Sequence, residues 1–202
     1  MSTTIVAGAK GGQGATTVAA ALAVTAAGKG RRVIVIDAGG DVASILNRSH
    51  VEAADDLAAG LTAACPVDGV ELVHLPADRI DSNTARGTSE LVANRATIII
   101  DAGTDPSVVH RFDGVRPRPQ RVLVVRPCYL AVRRAAAVPY TPDHVVLIRE
   151  RLRALTATDI ERALALPVTT VDHDPIIARA IDAGLLGTHA HRWLGRPLRQ
   201  LI

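Results

Sequence analysis

The stretch Thr4-Ile5-Val6-Ala7-Gly8-Ala9-Lys10-Gly11-Gly12-Gln13-Gly14-Ala15-Thr16-Thr17-Val18 decides how the rest of the chain is read. An apolar run, Thr4–Ala7, leads into a glycine-rich loop, and an alanine-rich segment, Val18–Ala27, follows with helix-forming composition. A loop in that position turns consecutive backbone N–H groups, and the partial positive charge of a helix N-terminus, toward an anion. The strict phosphate-loop pattern G-x-x-x-x-G-K-[ST] needs Gly at position 9 and Lys at position 15. This chain carries Ala9 and Ala15 there. The loop is therefore read as a phosphate cradle that lacks its central lysine.

Working outward, similar apolar runs recur at Arg32–Ile36, Val70–Leu75, Thr97–Ile100, Val122–Val125, Val145–Ile148 and Val168–Val171. Their hydrophobicity is continuous rather than alternating, which suits strands buried on both faces of a parallel sheet. Helices are predicted between them at Val18–Ala27, Asp55–Ala63, Ser82–Arg95, Leu130–Val138, Thr158–Leu166 and Pro175–Ala183. For the fifth of these, Thr158 is taken as the N-cap and Asp159 as a first-turn acid; Gly184 is taken as the stop of the last. Asp105-Pro106 reads as a helix cap, and the proline-rich stretch 114–119 as a surface connection. This alternation predicts an α/β fold of three layers, doubly wound, with a mainly parallel sheet and helices on both faces.

Composition bounds the function. The chain has 202 residues, read as one domain over 1–202, with 48% hydrophobic residues but only 2% aromatic ones. Its core must therefore be built from Val, Ile, Leu and Ala. No apolar run reaches the ~20 residues of a membrane span, and no signal-peptide pattern opens the chain, so a cytoplasmic protein is expected. Cys65 and Cys128 lack metal-ligand spacing and read as reduced packing residues. Net charge is +3. Between residues 105 and 155, however, Arg111, Arg116, Arg118, Arg121, Arg126, Arg133, Arg134, Arg149, Arg151 and Arg153 face few acids, an arrangement that offers a DNA contact surface. Arg outnumbers Lys throughout, so compositional bias explains the same pattern.

Ligands of such sheets sit at the carboxyl ends of the strands. Two further features fall there: Asp37 after Val33–Ile36, and Asp101 after Ile98–Ile100. Beside a phosphate loop whose Thr16 offers a hydroxyl, an acid at an apolar strand tip is a Mg²⁺ ligand, direct or through water.

On these residues the chain resembles the ParA/MinD family of P-loop ATPases. Lys10-Gly11-Gly12-x-Gly14-x-Thr16-Thr17 is similar to the deviant Walker A pattern K-G-G-x-G-K-[ST]-[ST], and Asp37 and Asp101 follow in the family's order. Leu166-Pro167 precedes Asp172-His173-Asp174-Pro175, which resembles the region that meets the nucleotide base. The resemblance implies ATP or ADP with Mg²⁺ as cofactor and a homodimer as the working form. It assigns Lys10 to the partner's phosphates across the dimer, Gly11, Gly12, Gln13, Gly14 and Ala15 to the cradle, and Thr17 to the α-phosphate. Thr16, Asp37 and Asp101 become metal ligands, Lys10 and Asp37 the catalytic candidates, and Asp172 and Pro175 the base contacts.

Three departures accompany it. Ala15 stands for the intramonomer lysine, Gly39 for a second acid with Asp41 two residues on, and Leu147-Ile148-Arg149 lacks the Asn of a base-reading motif. Losing a charge-assisted phosphate contact removes about 1.5–3 kcal/mol each. Weak or absent hydrolysis is expected, with Arg126, Arg133 or a partner's arginine as substitutes in a slow ATPase. Loss of the central lysine is similar to the TadZ/CpaE-like and septum-site-determining relatives, which implies a localisation or partitioning scaffold with an unidentified protein partner. A pseudo-ATPase module that binds no nucleotide is the remaining reading. The tail 191–202 resembles either a short membrane-contacting helix, as in MinD relatives, or a last helix packed on the sheet.

Overall fold

The computed structural model describes residues 1–48, 51–67, 69–187 and 194–202. Eight strands form one sheet: β1 Thr3–Gly8, β2 Val33–Asp37, β3 Cys65–Val67, β4 Val70–His74, β5 Thr97–Asp101, β6 Gln120–Val125, β7 His144–Arg149 and β8 Val168–Asp172. Their spatial order is β3-β4-β2-β5-β1-β6-β7-β8, and every pairing is parallel except that of β3 with β4. The chain runs outward from the centre in both directions, as a doubly wound sheet does. This is the doubly wound, mainly parallel α/β architecture that the sequence predicts.

The uninterrupted apolar strands divide their side chains between two cores. Val6, Val35 and Ile99 join one cluster with the helix α1 Ala15–Ala27, whereas Ile5, Ile34, Ile36, Ile98 and Ile100 join the other with Phe112. A period-2 strand buried on both faces needs apolar residues at every position. Nearly every residue of α1 is small and buried, so the helix lies close on the sheet and holds the loop that precedes it.

The remaining helices are α2 Val42–Ile45, α3 Leu57–Ala63, α4 Ser82–Ala93, α5 Pro106–Arg111, α6 Tyr129–Ala135, α7 Ala157–Leu164 and α8 Pro175–Asp182. Several starts differ from the sequence expectation. Helix α1 begins at Ala15, three residues early, because Gly14 with φ 94° already serves as its cap. The N-cap of α7 is Thr156, not Thr158: its hydroxyl accepts from the Asp159 N–H, and the Asp159 carboxylate accepts from the Thr156 N–H. That reciprocal box at spacing three satisfies two orphan donors at once. Asp105 caps α5 as expected, and Gly184 follows α8 with φ 68°.

Residues 191–193 of the tail lie outside the described residues. From Leu194 onward the chain returns to the sheet: a helical turn, Gly195–Leu198, brings Leu194, Leu198 and Leu201 into the α1-side core. Those aliphatics are buried, not presented to a membrane. No described helix is long and apolar enough to cross one.

Candidate functional site

The loop leaves β1 between two neighbours that fix it. Gly8 N–H donates to Gly103 O (2.7 Å) and Ala9 N–H to Val124 O (3.2 Å), so both flanking strands hold its first residues. A Cβ on Gly8 would stand 3.1 Å from Lys10 O and 3.6 Å from the Ala15 methyl, which explains the glycine there. Gly12 and Gly14 take left-handed backbone. Among the described residues, the N–H groups from Gly11 to Thr17 meet no protein acceptor, while the first helical bond runs from Val18 N–H to Gly14 O (3.0 Å). Orphan donors at a helix start are ordinary; a run that continues back through a glycine nest is an anion cradle.

Inside that cradle, Ala15 is only 8% exposed and belongs to the core. Lys10 is half-buried at the loop's rim and makes no ion pair among the described residues. Gln13 behaves differently from the loop's other residues. It is 3% exposed, and its Oε1 accepts from Arg126 N–H at 2.7 Å, which ties the loop to the tip of β6.

On the β5 and β2 side stand Asp101 and Asp37, direct register partners across the sheet and each 1% exposed. Asp37 Oδ1 accepts from Gly39 N–H (3.1 Å) and Gly40 N–H (2.8 Å), and Oδ2 from Val42 N–H (2.8 Å). Its carboxylate thus organises the β2–α2 connection as well as facing the loop. Burial raises its pKa against those three N–H donors and against His74. Asp101 accepts from Gly103 N–H (3.0 Å) and hydrogen-bonds the Thr16 side chain. Burial first, then the charges of Asp37 and Asp41, push Asp101 up to about 6. Asp41 itself is exposed, and Gly39 offers no side chain. Two buried carboxylates, both raised chiefly by burial, and a hydroxyl form an all-oxygen donor set that fits Mg²⁺.

The β6–β8 side is different in kind. A cavity of about 230 Å³ opens beside the loop, with Gly14, Thr17 and Val18 on one wall, Ile148 and Val171 on the sheet, and Ile177 and Ile181 of α8 opposite. Leu194 and Leu198 also line it. Its size is below the ~300–1,000 Å³ of pockets that enclose a whole ligand, so it suits a planar ring with the rest of the molecule outside. Asp172 lines this cavity; Pro175, the first residue of α8, lines the adjoining shallow groove instead. Ile148, 9% exposed, supplies apolar contact but no hydrogen bond where a base-reading Asn is expected.

Sequence reasoning overlooked this apolar lining and the ion network beside it. Arg126 Nη1 donates to Glu150 Oε1 (3.1 Å), and Arg153 Nε to Glu150 Oε2 (2.6 Å). The readable signal was Glu150, the one glutamate in an arginine-rich segment. That segment is largely engaged internally: Arg118 pairs with Asp143, Arg121 with Asp113 and Arg149 with Asp172, while Arg111 and Arg116 donate to carbonyls. Arg133, Arg134 and Arg151 remain without an acid among the described residues.

Residues 4–191 match the CobQ/CobB/MinD/ParA nucleotide binding domain. The chain belongs to that family. None of the curated proteins matches it. Among solved structures, the MinC:MinD cell division protein complex of Aquifex aeolicus is 18% identical, with TM-score 0.76 over 100% of this chain and 96% of that one. A ParA family ATPase from Chlorobium tepidum TLS is 17% identical, TM-score 0.73, covering 99% and 98%. The septum site-determining protein MinD of Pyrococcus horikoshii OT3, complexed with Mg-ADP, is 19% identical, TM-score 0.72, covering 93% and 88%. At these identities the likeness to each structure is one of fold.

Proposed function

We propose that this MinD/ParA-family chain binds ATP or ADP on its glycine-rich loop and that ATP favours a homodimer acting as a localisation or partitioning scaffold, with slow hydrolysis or none. One observation carries the reading: seven consecutive N–H donors from Gly11 to Thr17 await an anion, yet the side chain among them that should carry charge is a buried methyl, Ala15. Binding keeps its backbone machinery while the electrostatic part of phosphoryl transfer is thinned.

Thr16, Asp101 and Asp37 would hold Mg²⁺, which supplies charge neutralisation of the terminal phosphates when bound. Asp37 keeps the β2–α2 turn in place, Lys10 is left free at the rim to reach a second copy, and Asp172 borders the base. The bound MinC in the Aquifex MinD complex supports a protein partner for the dimer. Arg133, Arg134 and Arg151 are the side chains left for a DNA contact. The loop sequence favours the TadZ/CpaE-like branch and a cytoplasmic setting.

A slow ATPase is the second reading, favoured by Arg126 beside the loop. Phosphate release from Mg-ATP separates the two. We expect no turnover above the buffer blank while nucleotide is bound; steady release lost in Asp37→Asn would favour the ATPase. Asn is the milder substitution, since it keeps one of the two oxygens that accept the three backbone N–H groups, whereas Ala keeps neither.

A further inference from the structure

We propose that Arg126 is the cation that holds the base-proximal phosphate of the nucleotide, and that this placement makes the site nearly blind to how many phosphates follow. The proposal rests on the nucleotide-binding reading above and deepens it.

The sheet order sets the geometry. Asp101 ends β5 on one side of β1, and Arg126 follows β6 on the other. Two strand spacings of ~4.8 Å separate these flanks by about 10 Å. A nucleotide with its ring in the cavity and its terminal phosphates toward Thr16 and Asp101 must cross the loop in that direction. It passes Arg126 first, because Arg126, Gly14 and Thr17 together line the cavity. The end with the carboxylates is where a divalent cation, not an arginine, meets the chain of phosphates.

Arg126 is prepared for this contact. Its Nε is fully buried and has no hydrogen-bond partner. Its backbone is pinned by Gln13, and its Nη1 leans on Glu150, which Arg153 also shares. One carboxylate between two guanidinium groups leaves net positive charge beside the loop. The acids that line the same cavity lie elsewhere: Asp172 is paired with Arg149, Asp174 caps α8 through Ile176 N–H, and Asp182 sits at the far end of that helix. They repel phosphate from the α8 end and fix which way the ligand lies. The Arg126 side chain is 36% exposed beside the loop, so a guanidinium N–H other than the buried Nε is open to donate to a phosphate oxygen. Arg126 thereby replaces Ala15's missing charge at a different phosphate, and Gln13 is its positioning residue.

The test is equilibrium binding of AMP, ADP and ATP to the full chain in EDTA, so that no divalent cation contributes. Wild type should bind ADP and ATP within about threefold of each other, and Arg126→Ala should weaken all three by a similar factor, about tenfold to a hundredfold. Arg126→Lys should recover part of the loss, and Gln13→Ala should weaken all three with Arg126 intact. Thermal midpoints of the variants separate lost contact from lost fold: a drop in affinity with an unchanged midpoint supports the contact. An Arg126→Ala loss confined to ATP would overturn the proposal by placing the cation at the terminal phosphate, and an unchanged affinity would overturn it outright. In both cases wild-type binding leaves the nucleotide reading standing. Absence of any wild-type binding at millimolar nucleotide in EDTA would overturn the proposal, and absence with Mg²⁺ added as well would overturn the nucleotide reading.

Discussion

The two flanks of the loop are built from opposite materials. Toward β5 and β2 the strand tips carry buried carboxylates held by backbone N–H groups; toward β6, β7 and β8, Arg126, Ile148 and Val171 surround a cavity whose acids, Asp172 among them, lie toward α8. The first flank is polar and fully enclosed, with every strand residue buried. The second is looser: β8 and α8 are only partly buried, and Leu194 and Leu198 of the returning tail line the cavity. The first flank holds the oxygen donors of the proposed Mg²⁺ site, whereas the loop presents the methyl of Ala15 and the second flank the aliphatic side chain of Ile148.

Substitutions on each flank sharpen that contrast. The largest effect should come from the tail that lines the cavity. Leu198→Ala removes a fully buried side chain from the α1-side core and should cost about 2–5 kcal/mol in urea unfolding. A cost below ~0.5 kcal/mol would mean the tail is not part of the base flank at all.

Next is Asp37→Ala, which leaves the N–H groups of Gly39, Gly40 and Val42 without their acceptor and should cost about 2–3 kcal/mol. An unchanged unfolding midpoint would show that this carboxylate serves a ligand alone.

Asp101→Asn should act in the reverse direction. Its folded-state pKa of about 6 lies above the usual carboxylate value, so its protonated form is the one the fold prefers. Its stabilising contribution is full at low pH and is lost as pH rises through about 6. Without divalent cation, the Asn variant should therefore gain about 2 kcal/mol at pH 8 and almost nothing at pH 4. A gain that is equal at both pH values would show that charge burial is not the cause. Mg²⁺ should stabilise wild type more at pH 8 than at pH 5, and should do less for the variant.

Lys10→Ala should change stability by no more than ~0.5 kcal/mol, because the side chain makes no internal ion pair. Its effect belongs to dimerisation, where any nucleotide-driven increase in mass should disappear.

The central architecture was legible because it rests on strong, redundant signals. Ile98-Ile99-Ile100-Asp101 reads as a buried strand whatever surrounds it, and Gly12 and Gly14 mark a loop with left-handed backbone before an alanine helix. Short elements escaped. Strand β3 has three residues and contains Pro66, tolerated only because the strand lies at the sheet's edge. Helix α2 spans Val42–Ile45, too short for periodicity, and forms because Asp37 draws its first N–H groups toward β2. Start positions slipped for a related reason: Thr156 and Thr158 are equally good caps by composition, and only the pairing of Thr156 with Asp159 decides.

At the site, the loop and both aspartates were readable as local motifs. The cavity was not, because Val18, Ile148, Ile181 and Leu198 come from four distant segments and each looks like ordinary core. Gln13 shows the same limit. In sequence it is a variable position between glycines, and its role appears only when β6 lies alongside and Arg126 N–H is 2.7 Å from its oxygen.

Calorimetric titration with ATP and ADP, with and without Mg²⁺, while mass is followed in parallel, tests the central claim most directly. The proposed cradle, with Ala15 at the lysine position and its backbone donors in place, predicts micromolar binding, stronger for ATP with Mg²⁺, and an ATP-dependent shift from monomer to dimer that Lys10→Ala removes. No heat and no mass change at millimolar nucleotide would contradict it and leave the loop as an interaction module alone.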